Sequence, residues 1–218
     1  MSIRVDFLSV PLVTDSSVAT PERDRTRSVK SEGSSFVGRN RVTWITQSAV
    51  MSALVAVLTL VSIPLPPPLS AINLGPAGIF VVSVFLGPRV GSISGLLGSA
   101  IGFTVAATVG IVGGAAPGSV LFPVFLFGLI VARGPEGYVI GTLRRKSEIL
   151  AMVLGTIYET LVFFVIDFFY TYPILLGMDR GFAFLDLGTL IDLVFIFPAV
   201  VVLRYLRAQM GTRYYDQQ

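Results

Sequence analysis

Four carboxylates lie in stretches of the chain that are otherwise apolar, and these side chains carry the most informative chemistry. They are Glu159, Asp167, Asp186 and Asp192. Placing an ionised carboxylate in an apolar interior is costly, and no Lys or Arg lies inside the predicted membrane spans to neutralise them. We therefore expect each one to be protonated, hydrogen-bonded, solvated in a cavity, or paired with a group that arrives from outside.

The spacing of these carboxylates predicts two polar and aromatic stripes. The first consists of Glu159, Phe163, Asp167 and Tyr170, which steps of four, four and three residues place on one face of an α-helix. The second consists of Asp186, Thr189, Asp192 and Phe195. Its equal steps of three drift around an α-helix, so this stripe is predicted to be broader.

Two such stripes facing each other predict a pocket in the outer half of a helical bundle. Stacked rings hold a planar ligand and carboxylates accept its N–H groups, so the pocket suits a cation or a nitrogen-rich ring. Two plainer interpretations stay open. Asp186 could pair with Arg180 in the adjacent loop, and Asp192 could bond a neighbouring Ser or Thr.

The composition shows what must position these residues. Of the 218 residues, 53% are hydrophobic and only 13% are charged, and the mean hydropathy is +0.80. These values predict an integral membrane protein. His and Cys are absent, which excludes disulfides, thiolate chemistry and imidazole catalysis and leaves no predicted metal site. Nucleic-acid binding has no basic domain to support it.

The predicted fold is an all-α bundle of six transmembrane helices, because six apolar stretches have about the 20 residues that cross a bilayer. The spans are Val42–Ile63, Leu69–Leu86, Val90–Val112, Ala115–Ala132, Ile149–Tyr172 and Phe182–Leu203. The fourth could instead continue as a kinked helix through Gly134-Pro135 to Leu143.

The domain prediction has three parts: a disordered cytoplasmic leader over residues 1–38, the membrane domain over 39–207, and a short cytoplasmic tail over 208–218. Basic residues in short connections mark the cytoplasmic side. They fall on one side in four groups: Arg39 and Arg41; Arg89; Arg133, Arg144, Arg145 and Lys146; and Arg204, Arg207 and Arg213. Both termini are therefore predicted to be cytoplasmic.

Small residues recur on two of the predicted helices. The first span carries Ala49, Ser52, Ala53 and Ala56, which leave a strip almost free of side chains. The third carries Gly91, Gly95, Gly98 and Gly102 along one face. Such faces let helices approach closely, and we interpret the glycine face as internal packing.

With these features the chain resembles the S component, the substrate-binding membrane subunit, of energy-coupling factor (ECF) vitamin transporters. The resemblance covers about residues 41–207 and rests on the six-span layout, the strip Ala49-x-x-x-Ala53 with Ala56, the long first outer loop, and the turn Leu86–Gly91 before a Gly-rich helix. That loop would start the second span a few residues after Leu69.

The resemblance implies docking of Ala49, Ser52, Ala53 and Ala56 on a transmembrane T subunit that two ATPase subunits drive. It implies a vitamin held by the last three helices and covered by the first outer loop, where Asn73 could reach it. No cofactor is expected in this chain, which has no G-x-x-x-x-G-K-[ST] sequence, so the partners would use the ATP.

The predicted function is therefore substrate capture for ATP-driven import across the cell membrane, without covalent chemistry. Members of this family carry riboflavin, thiamine, biotin, folate and related precursors, and the acidic stripes favour a cationic or donor-rich ring. One alternative is a proton- or ion-coupled secondary transporter in which Glu159 and Asp192 relay protons. An intramembrane enzyme has the weakest support, because no nucleophile motif stands out.

Overall fold

The computed structural model describes residues 25–64, 71–111 and 116–210. The chain forms two compact units, 1–41 and 42–218. Helix α1 spans Arg25–Leu60 and so begins inside the range predicted as a disordered leader. The rest of that leader, 1–24, and the end of the predicted tail, 211–218, lie outside the described residues.

The described part of the chain is mostly helical and contains one small hairpin. After α1 come β1 (Ser62–Pro64), β2 (Ala71–Asn73), α2 (Gly75–Leu86), α3 (Pro88–Thr108), α4 (Leu121–Leu143) and α5 (Glu148–Ile166), then a π-helical segment (Asp167–Leu175), a 3₁₀ segment (Arg180–Phe195) and α6 (Ile196–Met210).

Five helical stretches within the described residues are long and apolar enough to cross a membrane. They are Val42–Leu60, Pro88–Thr108, Leu121–Leu143, Glu148–Leu175 and Arg180–Gln209. Each overlaps a predicted span. Helix α2 corresponds to the remaining predicted span but has only 12 residues, about 18 Å at 1.5 Å per residue.

The hairpin explains why α2 is short. β1 and β2 pair antiparallel with Ser62 opposite Asn73, and the intervening prolines cannot continue a helix. The predicted end Ile63 is therefore wrong, because α1 ends at Leu60. The predicted start Leu69 lies outside the described residues, and α2 begins later, at Gly75, as the loop implied by the family resemblance suggested. The Asn73 side-chain Oδ1 accepts a hydrogen bond from the Gly75 backbone N–H at 2.9 Å, which satisfies a free donor at the start of α2.

Glycines of α3 bring it against α1, which confirms that this glycine face is internal packing and identifies its partner helix. A Cβ atom on Gly98 would lie 2.8 Å from the Ser52 carbonyl oxygen, and one on Gly102 would lie 2.8 Å from the Ala56 carbonyl oxygen. Both distances are shorter than a van der Waals contact. The two helices therefore touch backbone to backbone on this face.

Helix α4 runs through Gly134-Pro135 and ends at Leu143, so the predicted end at Ala132 is wrong and the longer alternative is correct. Pro135 has no N–H to donate to the Val131 carbonyl oxygen one turn earlier. The Tyr158 hydroxyl on α5 donates to that oxygen at 3.4 Å. Glycines 137 and 141 then pack against the backbone of Gly91 and Pro88 at the start of α3, which holds the second half of α4 in the bundle.

We expect Gly102→Ala to lower the free energy of unfolding by about 1–3 kcal/mol, the usual cost of overpacking. The added methyl group would also lie 2.7 Å from the Thr59 Cβ. Thermal unfolding of the detergent-solubilised protein measures this change. Gly134→Ala is the matched control, because its Cβ would make an ordinary 3.4 Å contact with Leu96. Equal melting temperatures for the two variants would contradict the close approach of α1 and α3.

Candidate functional site

A cavity of about 380 Å³ lies among the helices of the 42–218 unit. Rings and aliphatic side chains form most of its wall, including Phe103, Phe125, Leu129 and Phe163. Its polar groups come from the hairpin, from α4, from α5 with its π-helical extension, and from the 3₁₀ segment. Apolar walls with a few polar groups are typical of small-molecule sites.

The most buried polar feature is a group of four side chains that we call the charge cluster: Arg133, Glu136, Glu159 and Asp192. Arg133 Nη2 lies 2.7 Å from Glu159 Oε1 and donates to Asp192 Oδ2 at 3.3 Å. Arg133 Nη1 donates to Glu136 Oε2 at 3.3 Å. The exposed fractions are 6% for Arg133, 0% for Glu136, 1% for Glu159 and 7% for Asp192.

The charge cluster corrects the prediction that the buried carboxylates have no internal counter-ion. The sequence predicts Arg133 to belong to a cytoplasmic basic group, because the fourth predicted span ends at Ala132. In the structure α4 continues for another ten residues beyond Arg133, so the guanidinium lies inside the bundle. Asp192 therefore bonds Arg133, and the predicted bond to a neighbouring Ser or Thr is wrong.

A second acidic group, which we call the carboxyl pair, consists of Asp167 and Asp186. Both side chains line the cavity, and the Asp186 Oδ2 atom is buried without a hydrogen-bond partner among the described residues. The alternative pairing of Asp186 with Arg180 is wrong. The Arg180 guanidinium instead lies over the Phe168 ring, 5.8 Å from its centroid.

The 3₁₀ segment makes the second stripe straighter than the sequence predicted. With 3.0 residues per turn, positions three apart eclipse one another. Asp186, Thr189 and Asp192 therefore line the cavity together. Thr189 Oγ1 also lies 2.8 Å from Thr160 Oγ1 on α5, which joins the two stripes.

The π-helical segment alters the first stripe. A π-helix is wider than an α-helix, so a step of three residues after Asp167 no longer stays on the same face. Tyr170 is 46% exposed and does not line the cavity, which corrects its prediction as a site residue. Tyr172 takes its place in the wall.

Seven of the eight predicted binding residues line the cavity: Asn73, Glu159, Phe163, Asp167, Asp186, Thr189 and Asp192. Their binding role stays a prediction. Sequence reasoning missed Arg133, Glu136 and Tyr172. The sequence does contain an indication for Arg133 and Glu136, because residues three apart share a face of a helix that continues past Ala132.

The predicted docking strip on α1 divides between two faces. Ala49 and Ala53 are exposed, so both are available to a partner. Ser52 and Ala56 are 4% and 8% exposed and face α3, where Gly98 and Gly102 meet their carbonyl groups. Ser52 and Ala56 are therefore internal packing, and the docking prediction is wrong for these two residues.

Comparisons with known proteins give one family and one fold. The family model described as "ECF-type riboflavin transporter, S component" matches residues 39–201. A solved S component for biotin from an ECF-type ABC transporter has a similar fold, with a TM-score of 0.56, 24% sequence identity, and coverage of 81% of this chain and 97% of that one.

No functionally characterised protein matches the chain at the sequence level. The family match covers most of the chain, including α4, α5 and the 3₁₀ segment that build the cavity. This family consists of transporter subunits, not enzymes. The chain therefore belongs to the S components of ECF-type riboflavin transporters, a family of multi-pass membrane proteins.

Proposed function

We propose that the chain captures a riboflavin-like vitamin or precursor from outside the cell and delivers it to an ATP-driven module. The observation that carries this proposal is the cavity of about 380 Å³ lined by α3, α4, α5, the 3₁₀ segment and the hairpin. Its size falls within the range of small-molecule pockets. The family description names riboflavin.

The charge of the cavity supports a ligand without a free carboxylate. Four carboxyl groups line the wall, at Glu159, Asp167, Asp186 and Asp192, against the single guanidinium of Arg133. An anionic ligand would add to this excess. The neutral flavin ring instead offers one N–H group and the ribityl chain offers hydroxyls, and carboxylates accept hydrogen bonds from both. Biotin and folate each carry a carboxylate and fit this lining less well.

The aromatic wall supports a planar ring. Phe103 stacks on Phe122, with ring centroids 5.6 Å apart, and Phe103 also lies 6.3 Å from Phe125. Phe163 lines another part of the cavity. Aromatic rings hold planar ligands through offset stacking and apolar contact.

The proposed arrangement in the cell membrane has six membrane-embedded helical stretches and both termini in the cytoplasm. The basic turn Arg144-Arg145-Lys146 between α4 and α5 supports this orientation. The proposed partners are a transmembrane T subunit and two ATPase subunits, which would use the ATP; this chain needs no cofactor of its own. Ala49 and Ala53 supply the exposed small surface for docking.

In the structure, the two carboxylates on which the secondary-transporter alternative rests have a basic partner. Glu159 and Asp192 were its proposed proton relays, and both contact Arg133. Uptake by the isolated chain without partners or ATP would restore this alternative.

We expect Gly188→Phe to abolish ligand binding without unfolding the protein. Gly188 lines the cavity, and a Cβ atom there would have no atom within 4 Å, so the ring would occupy the ligand space. The effect is measured as the affinity of the purified full chain for riboflavin, with quenching of flavin fluorescence as the signal of binding. Leu187→Phe is the control, because this neighbour does not line the cavity. Unchanged riboflavin affinity in Gly188→Phe would contradict the proposed binding cavity.

We expect Ala53→Leu to abolish uptake while leaving riboflavin affinity unchanged, because it enlarges the exposed docking surface only. Uptake of labelled riboflavin is measured in cells that express the chain with its T and ATPase subunits. Ala53→Ser is the control that keeps the side chain small. Ala56→Leu changes the buried side of the same helix and should lower the melting temperature instead. Normal uptake by Ala53→Leu would contradict the docking role.

A further inference from the structure

Glu159 presents an unpaired oxygen in the interior of the protein. Its Oε1 contacts Arg133, whereas its Oε2 is buried and has no hydrogen-bond partner among the described residues. The side chain is 1% exposed and lines the cavity. A buried carboxylate oxygen without a donor is unfavourable, so a ligand N–H placed there would gain a strong, charge-assisted hydrogen bond.

Arg133 lies directly beside this acceptor and also lines the cavity. Its guanidinium contacts carboxylates from three separate elements: Glu136 on α4, Glu159 on α5 and Asp192 on the 3₁₀ segment. These contacts fix the plane of the group. A guanidinium carries five N–H donors, so the cavity wall combines a fixed donor with an adjacent fixed acceptor.

We propose that Arg133 and Glu159 recognise the N–H/C=O edge of a cyclic imide or ureide ring. A ring carbonyl would accept from the Arg133 guanidinium while the neighbouring ring N–H donates to Glu159 Oε2. This inference rests on the proposed function and adds the orientation of the ligand. The flavin ring has such an edge, in which the N3–H lies between two carbonyl groups, and the ureido ring of biotin has a similar one.

The position of Glu159 sets the direction of the ligand. It lies on α5, eight residues before Asp167, which begins the π-helical segment that continues this helix, or about 12 Å at 1.5 Å per residue. The ring edge then lies at the charge cluster and the remainder of the molecule extends towards the carboxyl pair. The ribityl hydroxyls of a flavin are donors that suit Asp167 and Asp186.

The test compares riboflavin with N3-methylriboflavin, which lacks the N–H donor, on the purified full chain. We expect wild-type protein to bind the methylated flavin at least about tenfold more weakly, because the buried Glu159 oxygen stays unpaired. In Glu159→Gln the amide oxygen faces Arg133 and the NH₂ group faces the ligand. Riboflavin affinity should then fall by at least about tenfold, and the difference between the two flavins should shrink.

Glu148→Gln is the matched control, the same change on the same helix in contact with Arg207 outside the cavity, and it should keep the full difference between the flavins. A wild-type protein that binds both flavins equally contradicts the inference while the proposed function stands, and this comparison decides even if Glu159→Gln fails to fold. An undiminished difference in folded Glu159→Gln also contradicts it. A wild-type protein that does not bind riboflavin contradicts the proposed function and the inference together.

Discussion

The arginine at position 133 is the constraint on which the site depends. A guanidinium with 6% exposure must be compensated where it lies, because taking a charge out of water costs several kcal/mol even after relaxation. Three carboxylates on α4, α5 and the 3₁₀ segment provide this compensation. The same contacts fix how these three elements sit around the cavity. Apolar contacts alone would define the relative positions of α4, α5 and the 3₁₀ segment less specifically, because they have no fixed direction.

The bundle can hold this polar group because its backbone contacts elsewhere are very close. Gly98 and Gly102 let α3 touch α1, and Gly137 and Gly141 let α4 touch the start of α3. Between lipid-facing helices, such contacts replace the hydrophobic effect as a source of stability. Pro135 would otherwise leave the Val131 carbonyl unpaired, and Tyr158 supplies its donor from α5.

The π-helical and 3₁₀ segments determine which polar side chains face the cavity. The π-helical segment turns Tyr172 inward and Tyr170 outward, and the 3₁₀ segment aligns Asp186, Thr189 and Asp192. Long 3₁₀ stretches and π-helical insertions are uncommon and often lie at functional sites. Here both segments border the cavity, and each contributes one member of the carboxyl pair to its wall, Asp167 and Asp186.

The sequence by itself determined the class of the protein, the regions of five long apolar helices, and the four acidic residues of the cavity wall. Hydrophobic length and helical spacing are local properties, so Glu159, Phe163 and Asp167 could be grouped from their intervals alone. The glycine face of α3 was also readable, because small residues at steps of three and four predict close packing without naming the partner.

Only the tertiary structure decided which charged side chains pair and which face of α1 is covered by another helix. The sequence predicts Arg133 to be a loop residue, because a Gly-Pro pair commonly ends a helix. Inside α4 it is accommodated by the Tyr158 hydroxyl on the Val131 carbonyl, by the neighbouring Glu136 and by two carboxylates far away in the chain. Ser52 and Ala49 are both small residues of the predicted docking strip, and the sequence does not distinguish them. In the structure α3 covers Ser52 and leaves Ala49 exposed. Both outcomes depend on contacts between residues far apart in the chain, which local patterns do not contain.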